Sequence, residues 1–328
     1  MDVKICRRPC FLDGCVLSFH FCSARARHAR RRHQSVPPGE TLIEFSPRAG
    51  YRQTTATVEE IPVGGQAITA LYYAGAPDAP CLVHVHGKGG NAVSGPSRFL
   101  PQLLHDVAHL AVNMRCRDLA YTRYDIPLRD FTSGDPSVGG GYWEDLDEGR
   151  DDVTAAVATA RARGHSRVVV VGHSSGGFYA GMVADQLDEH EAVVLLSPIT
   201  DNRRALKWWF PDADERAAAL KRARSLVAAG DGATLLPLSR WYWAISAASL
   251  VQRADEPEGI WPQTLAAAHV PVLLLAGGDE SRAADWRHMA EELPNGRGHS
   301  AIIDGADHFY VGREDKVAEA VRSFVEAI

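Results

Sequence analysis

The stretch "RVVVVGHSSGGFYAGM", residues 167–182, decides the fold. The four valines Val168 to Val171 put apolar groups on both sides of an extended chain, the pattern of a strand covered on both faces in a parallel sheet. Gly172-His173-Ser174-Ser175-Gly176 interrupts the run. The residues after it, "GFYAGMVADQL", place Phe178, Met182 and Val183 on one helical face, with Ala180, Gly181 and Ala184 small enough for close packing. A strand that passes straight into a helix needs a sharp turn, and glycines let the neighbouring backbone approach without a Cβ clash. Ser174, at the apex, then stands at a helix N-terminus, where unpaired N–H groups and the dipole favour developing negative charge. Strand, Gly-x-Ser-x-Gly, helix is the pattern of a nucleophile elbow.

Outward from this stretch the chain keeps the same rhythm. Towards the N-terminus, "TTATVEEIP" and "QAITALYYA" alternate apolar with polar residues around Val63-Gly64-Gly65 and predict an antiparallel hairpin. Short apolar runs follow at 81–86, 109–114, 167–171, 192–196, 270–276 and 300–304, separated by helical segments. One of these, "WEDLDEGRDDVTAAVATARARG", opens with acidic residues and closes on arginines and Gly164, in keeping with the helix dipole and a glycine cap. A hairpin feeding a βαβ series predicts an α/β sandwich. Between Leu196 and Val270 the spacing is too long for a simple crossover, and five of the seven tryptophans fall there: Trp208, Trp209, Trp241, Trp243 and Trp261. This predicts a helical insertion at about residues 200–268, acting as a lid over the C-terminal edge of the sheet, with one or two tryptophans lining a pocket.

The 328-residue chain carries a net charge of −6 that is unevenly spread. Residues 1–33 hold eight Lys/Arg against Asp2 and Asp13, a net +6, which leaves −12 for the rest. Four of the six cysteines (Cys6, Cys10, Cys15, Cys22) also lie in this head, and Cys81 and Cys116 alone give no disulfide framework. Asp13, His20 and the crowded arginines argue against a signal peptide, and the cysteine spacing against a zinc knuckle. Residues 1–38 are therefore expected to be a disordered basic extension, with 39–328 as the folded domain. The sequence has no apolar run long enough for a membrane-spanning helix. The acidic body disfavours nucleic acid, and a cytoplasmic location is expected.

A serine hydroxyl needs a base, and the base a carboxylate to orient it. In elbow-bearing folds these follow in the order serine, acid, histidine. Of the histidines after Ser174, His190 and His269 precede strands at the opposite edge, while His288 and His299 read as surface residues. His308, in "IIDGADHFY" just past the last predicted strand, is the expected base. "VPVLLLAGGDES" delivers Asp279 directly after a strand as the expected acid. Glu280 replaces it if the loop is one residue longer, and Asp201, after the preceding strand, is the other alternative. For the oxyanion, the N–H of Ser175 and the main-chain N–H of Lys88 in His86-Gly87-Lys88-Gly89-Gly90-Asn91 are the expected donors, with the Lys88 side chain left to solvent. No Gly-Lys-Ser/Thr ending follows these glycines, which argues against a phosphate-binding loop.

With "HVHGKGGN", "GHSSGG", "LLLAGGDES" and "GADHFY" in this order, the chain from about Pro80 onward resembles the α/β-hydrolase superfamily, in its serine esterase and lipase-like branch. The resemblance implies a three-layer sandwich around a mostly parallel eight-stranded sheet, a triad at Ser174, Asp279 and His308, and no cofactor or metal. "NMRCRDLAY" departs from the relatives' Asn-x-Arg-Gly by carrying Cys116. "GGGYWEDLDEGRDDV" is similar to a segment of esterase-like members whose substrates are undefined. The expected activity is cleavage of a carboxylic ester of a small, apolar or aromatic acyl compound. Thioesterase, lactonase, amidase or acyl-transfer chemistry uses the same groups, and a catalytically idle binding protein is the alternative of a different class. The sequence leaves the oligomeric state open.

Overall fold

A computed structural model describes residues 54–123, 137–240 and 244–328 of the chain. The basic head and the readings made of it, together with Trp241 and Trp243, lie outside the described residues.

The hairpin forms as its alternation requires. β1 (Thr57–Val63) and β2 (Gln66–Tyr73) pair antiparallel with Val63 opposite Gln66. Gly64 and Gly65 both take positive φ, 56° and 77°, the mark of the tight type I′ turn. The six later runs become β3 (Cys81–Val85), β4 (Ala108–Asn113), β5 (Val168–His173), β6 (Ala192–Leu196), β7 (Val272–Gly277) and β8 (Gly298–Ile303). Together the eight strands make one sheet in the order β1-β2-β4-β3-β5-β6-β7-β8, parallel from β4 to β8.

The valines of β5 show why the sheet has three layers. Successive side chains point to opposite faces. Val168 and Val170 pack into a core with Val153, Val157, Phe178 and Trp261, whereas Val169 and Val171 face a second core with Phe99, Leu100, Val321 and Phe324. The first layer holds α2 (Leu146–Ala162), α3 (Ser175–Met182), α7 (Ile260–Ala267) and α8 (Ala283–Glu292); the second holds α1 (Pro96–Leu103) and α9 (Glu314–Ala327). α2 begins where its acidic start predicts: the Asp145 carboxylate accepts from the N–H groups of Asp147 (2.9 Å) and Glu148 (3.0 Å). α3 ends sooner than the apolar face predicts, passing at Val183 into a short 3₁₀ turn, Ala184–Gln186.

Within residues 200–268 the helices divide between two cores. α4 (Asn202–Trp209), α5 (Ala213–Ala228) and α6 (Ala247–Asp255), with a short two-stranded ribbon, surround their own core of Leu206, Trp209, Phe210, Ala223, Ile245 and Leu250. α7 belongs to the body instead. Trp261 is buried in the main core and donates its indole N–H to Phe178 O at 3.0 Å.

β3 and β5 are neighbours although β4 intervenes in sequence, and the chain runs outward from this pair in both directions. The loops leaving their carboxyl ends therefore diverge at the switch point, the place where open α/β sheets bind ligands.

The adjacent strands β3 and β4 carry a buried imidazole pair with a measurable consequence. His109 Nε2–H donates to Leu104 O (2.9 Å), which leaves Nδ1 to accept from His84 Nε2–H at 2.8 Å. Burial pushes the His109 pKa down to about 4, and burial together with His109 pushes His84 well below its ordinary value. An unfolded histidine titrates near 6.5, so as pH falls the unfolded chain takes up protons first. The stabilisation is complete above about pH 6.5 and is lost between there and pH 4, by about 3 kcal/mol for His109 alone. The urea midpoint is expected to fall steeply between pH 7 and pH 4.5; a flat profile contradicts the neutral pair.

Candidate active site

Ser174 sits where β5 becomes α3, with φ 55° and ψ −118°, a conformation that costs a non-glycine residue on the order of 1–3 kcal/mol. Three hydrogen bonds hold it there: Ser174 N–H to Leu196 O (3.0 Å), and Ser174 O from the N–H groups of Gly177 (3.0 Å) and Ile199 (2.9 Å). Gly176 makes the turn sterically possible, because a Cβ there would lie 2.1 Å from Val85 O. Although Ser174 occupies the N-cap of α3, its side chain makes no capping bond.

His308 lies on the loop between β8 and α9, and His173 carries that loop to the elbow. The His173 Nε2–H donates to His308 O at 2.9 Å, and the two ring centroids are 5.0 Å apart. Burial, with the neighbouring His308 adding to it, pushes His173 down to about 4, so it stays neutral and able to make this bond. The acid partner is Glu280: its Oε2 stands 2.9 Å from His308 Nδ1. Burial alone would raise Glu280, but hydrogen bonds from His308, Ser197 and the Gly277 N–H outweigh it and hold the carboxylate ionised. Since the carboxylate only accepts, Ser197 donates to Glu280 and in turn accepts from the Tyr310 hydroxyl at 2.6 Å. Tyr310 is two residues from His308, so this relay closes on the loop it positions. With Nδ1–H given to Glu280, His308 Nε2 is the basic nitrogen.

In this geometry the carboxylate beside His308 is that of Glu280, the stated alternative, and not that of Asp279. After β7 the chain turns at once: Glu280 N–H bonds Gly277 O (3.1 Å), and Gly277 N–H returns to Glu280 Oε1 (2.9 Å). Asp279 N–H is meanwhile tied to Ala306 O (3.0 Å), and its side chain is exposed. Asp201 is occupied elsewhere, accepting from Arg203 N–H (2.8 Å) to cap α4. His190, His269, His288 and His299 are exposed, as expected.

The loop after β3 opens with a turn from Gly87 to Gly90, closed by Gly90 N–H to Gly87 O at 2.9 Å. Gly89 takes φ 69°, as the third position of a type II turn demands. Lys88 is then the second residue, whose N–H the turn leaves unused. Ser175 opens α3, so its N–H has no intrahelical acceptor either. A Cβ on Gly87 would stand 3.1 Å from Ser174 Cβ, which measures how closely this loop approaches the elbow.

The Lys88 side chain is not left to solvent, contrary to expectation. It is 5% exposed and its Nζ donates to Gly141 O and, at 2.8 Å, to Glu144 Oε2. Sequence reasoning passed over His173, Ser197, Tyr310 and Glu144. The signals available were small: His173 is the variable residue of Gly-x-Ser-x-Gly, and Glu144 stands in "GGGYWEDL". No cluster of three or more His, Cys, Asp or Glu among the described residues is placed to hold a metal ion.

A family model for the alpha/beta hydrolase family matches residues 82–320. A solved hypothetical protein from Pseudomonas aeruginosa has the same fold at TM-score 0.62 and 14% identity, covering 84% of this chain and 94% of that one. Est1E from Butyrivibrio proteoclasticus follows at TM-score 0.55 and 15% identity (82% and 98% covered). A structure from work on carboxylesterases of the thaumarchaeon Nitrososphaera gargenis aligns at TM-score 0.52 and 16% identity (82% and 98%). No curated protein matches the chain. The sheet order, the strained serine between β5 and α3 and the match over most of the folded region lead to one assignment: the chain belongs to the alpha/beta hydrolase family.

Proposed function

We propose that this hydrolase cleaves a carboxylic ester through an acyl-enzyme, with Ser174 as nucleophile, His308 as base and Glu280 as the acid that orients it. The observation that carries the reading is the 2.9 Å bond from His308 Nδ1 to Glu280, on a loop anchored to the residue beside Ser174. Ser174 Oγ attacks the carbonyl carbon as His308 Nε2 takes its proton, and the tetrahedral oxyanion is held by the N–H groups of Lys88 and Ser175. His308 returns the proton to the leaving alkoxide as the C–O bond breaks. Water repeats the sequence on the acyl-enzyme and frees the acid and Ser174.

The rim supports an apolar or aromatic acyl group. Phe309 (57% exposed) and Val311 (60%) flank the histidine loop, and Val93 (56%) lies on the oxyanion loop. Est1E, of the same fold, has been solved with ferulic acid bound, a fact about that protein which makes aryl esters a sensible first panel. The purified chain is expected to hydrolyse p-nitrophenyl butyrate and naphthyl esters and to lose that activity on treatment with a fluorophosphonate. Absence of turnover across acetyl, butyryl, octanoyl and aryl esters, with thioesters and lactones included, overturns the reading.

A further inference from the structure

Behind the oxyanion loop lies a group of buried charges that the proposed chemistry does not use. Glu144, fully buried, accepts from Lys88 Nζ (2.8 Å), from Arg253 and, at 2.6 Å, from the Tyr179 hydroxyl. Arg253, 2% exposed, also donates to Asn202 Oδ1, and Asn202 donates to Glu256. The Trp209 ring lies 5.8 Å from Lys88 Nζ and 5.5 Å from the Arg253 guanidinium. Lys88 and Tyr179 belong to the hydrolase body, on the oxyanion loop and α3; Arg253, Asn202 and Trp209 come from α6 and α4 of the insertion.

Backbone contacts fasten the same junction. Ser249 Oγ donates to Glu144 O (2.6 Å), Leu146 N–H donates to Gln252 Oε1 (2.8 Å), and Trp143 Nε1–H donates to Ala233 O (2.8 Å). Glu144 thus bonds side chains from both halves, and the insertion is pinned where a hinged lid would need freedom.

Burying two cations and a carboxylate is an expensive way to gain stability, since apolar side chains of similar volume usually do as well. What such a network does supply is direction. Lys88 is the second residue of the Gly87–Gly90 turn; the Gly87 carbonyl before it accepts from His86 Nδ1–H at 2.9 Å, and the Lys88 side chain is a further anchor on the turn. His86 holds the carbonyl of the Gly87–Lys88 peptide, and the bonds of the Lys88 ammonium to Glu144 and Gly141 O hold the same peptide from its Lys88 side.

We propose that Glu144 is a positioning residue of the oxyanion hole, which holds Lys88 through its side chain and makes the helical insertion a fixed part of the catalytic framework. The proposal rests on the serine-hydrolase reading above. Lys88→Met retains the N–H and the Glu144–Arg253 pair but removes the tether. It is expected to lower kcat on an activated ester about 10- to 100-fold, as expected for an oxyanion donor displaced by a fraction of an ångström, with KM within about threefold. Glu144→Gln should act in the same direction, and Lys88→Arg should recover part of the loss. Thermal melts of each variant separate this from unfolding. A Lys88→Met enzyme that is folded and has wild-type kcat overturns the proposal alone, as does a loss of kcat matched by the fraction unfolded. A wild-type chain that turns over no acyl substrate and takes no fluorophosphonate overturns the hydrolase reading, and this proposal with it.

Discussion

Alanine at position 174 is expected to reduce turnover of an activated ester by roughly 10⁵-fold while leaving the fold intact, the order seen when a triad nucleophile is removed. The side chain contributes no capping bond to α3, so deleting its hydroxyl removes no helix contact. What holds the elbow is backbone: the three hydrogen bonds of Ser174 N–H and C=O persist in the variant. The strained φ of 55° persists as well, and alanine pays a similar conformational cost there to serine. Residual activity should track the oxyanion donors alone. A Ser174→Ala enzyme with more than a tenth of wild-type kcat would contradict the assignment, and Ser175, buried and adjacent, would be the hydroxyl to test next.

The second large effect separates two neighbouring carboxylates. Glu280→Gln keeps the shape of the Gly277–Glu280 turn but replaces one carboxylate oxygen by an NH₂ group. With the NH₂ at the Oε2 position His308 loses the acceptor that fixes its tautomer, while Ser197 and the Gly277 N–H, both on Oε1, keep an oxygen acceptor but lose its charge. A fall in kcat/KM of roughly 10³- to 10⁴-fold is expected. Asp279→Asn, on an exposed side chain, should change kcat/KM by less than about threefold. The reverse result, with Asp279 essential and Glu280 dispensable, would restore the acid expected from the sequence and require the loop after β7 to rearrange on binding.

Much of this was legible before any coordinates. The two-sided valines of β5, the alternation of β1 and β2 and the acidic start of α2 each reflect a local rule, and each element formed within a few residues of its expected bounds. The positions of Ser174 and His308 at the carboxyl edge of the sheet follow from the strand pattern. Ser174 follows β5 directly and His308 lies on the loop after β8; contacts from Leu196, Ile199 and His173 then hold them. The acid was not legible in this way, because the choice between 279 and 280 depends on how sharply the chain turns after Gly277, and that is set by pairing with Ile303 and Ala306 across the adjacent strand end. A similar reason applies to α7: it looks like its neighbours in sequence, and the packing of Trp261 against α3 puts it with the main core. Lys88 was misread because a lone lysine between glycines carries no sign of Glu144 or Arg253, which come from segments 56 and 165 positions away. Buried polar networks assembled from distant segments leave little trace in local pattern.

The central claim, that one serine of the elbow is chemically activated, is tested most directly by where a covalent probe lands. After fluorophosphonate treatment and tryptic digestion, the peptide from Val168 to Arg203 contains Ser174, Ser175 and Ser197, and fragment-ion sequencing distinguishes them. The account predicts a single adduct on Ser174, formed rapidly in the wild type and slowly in Glu280→Gln. A folded chain that remains unmodified, or that carries the adduct on any other serine, contradicts it.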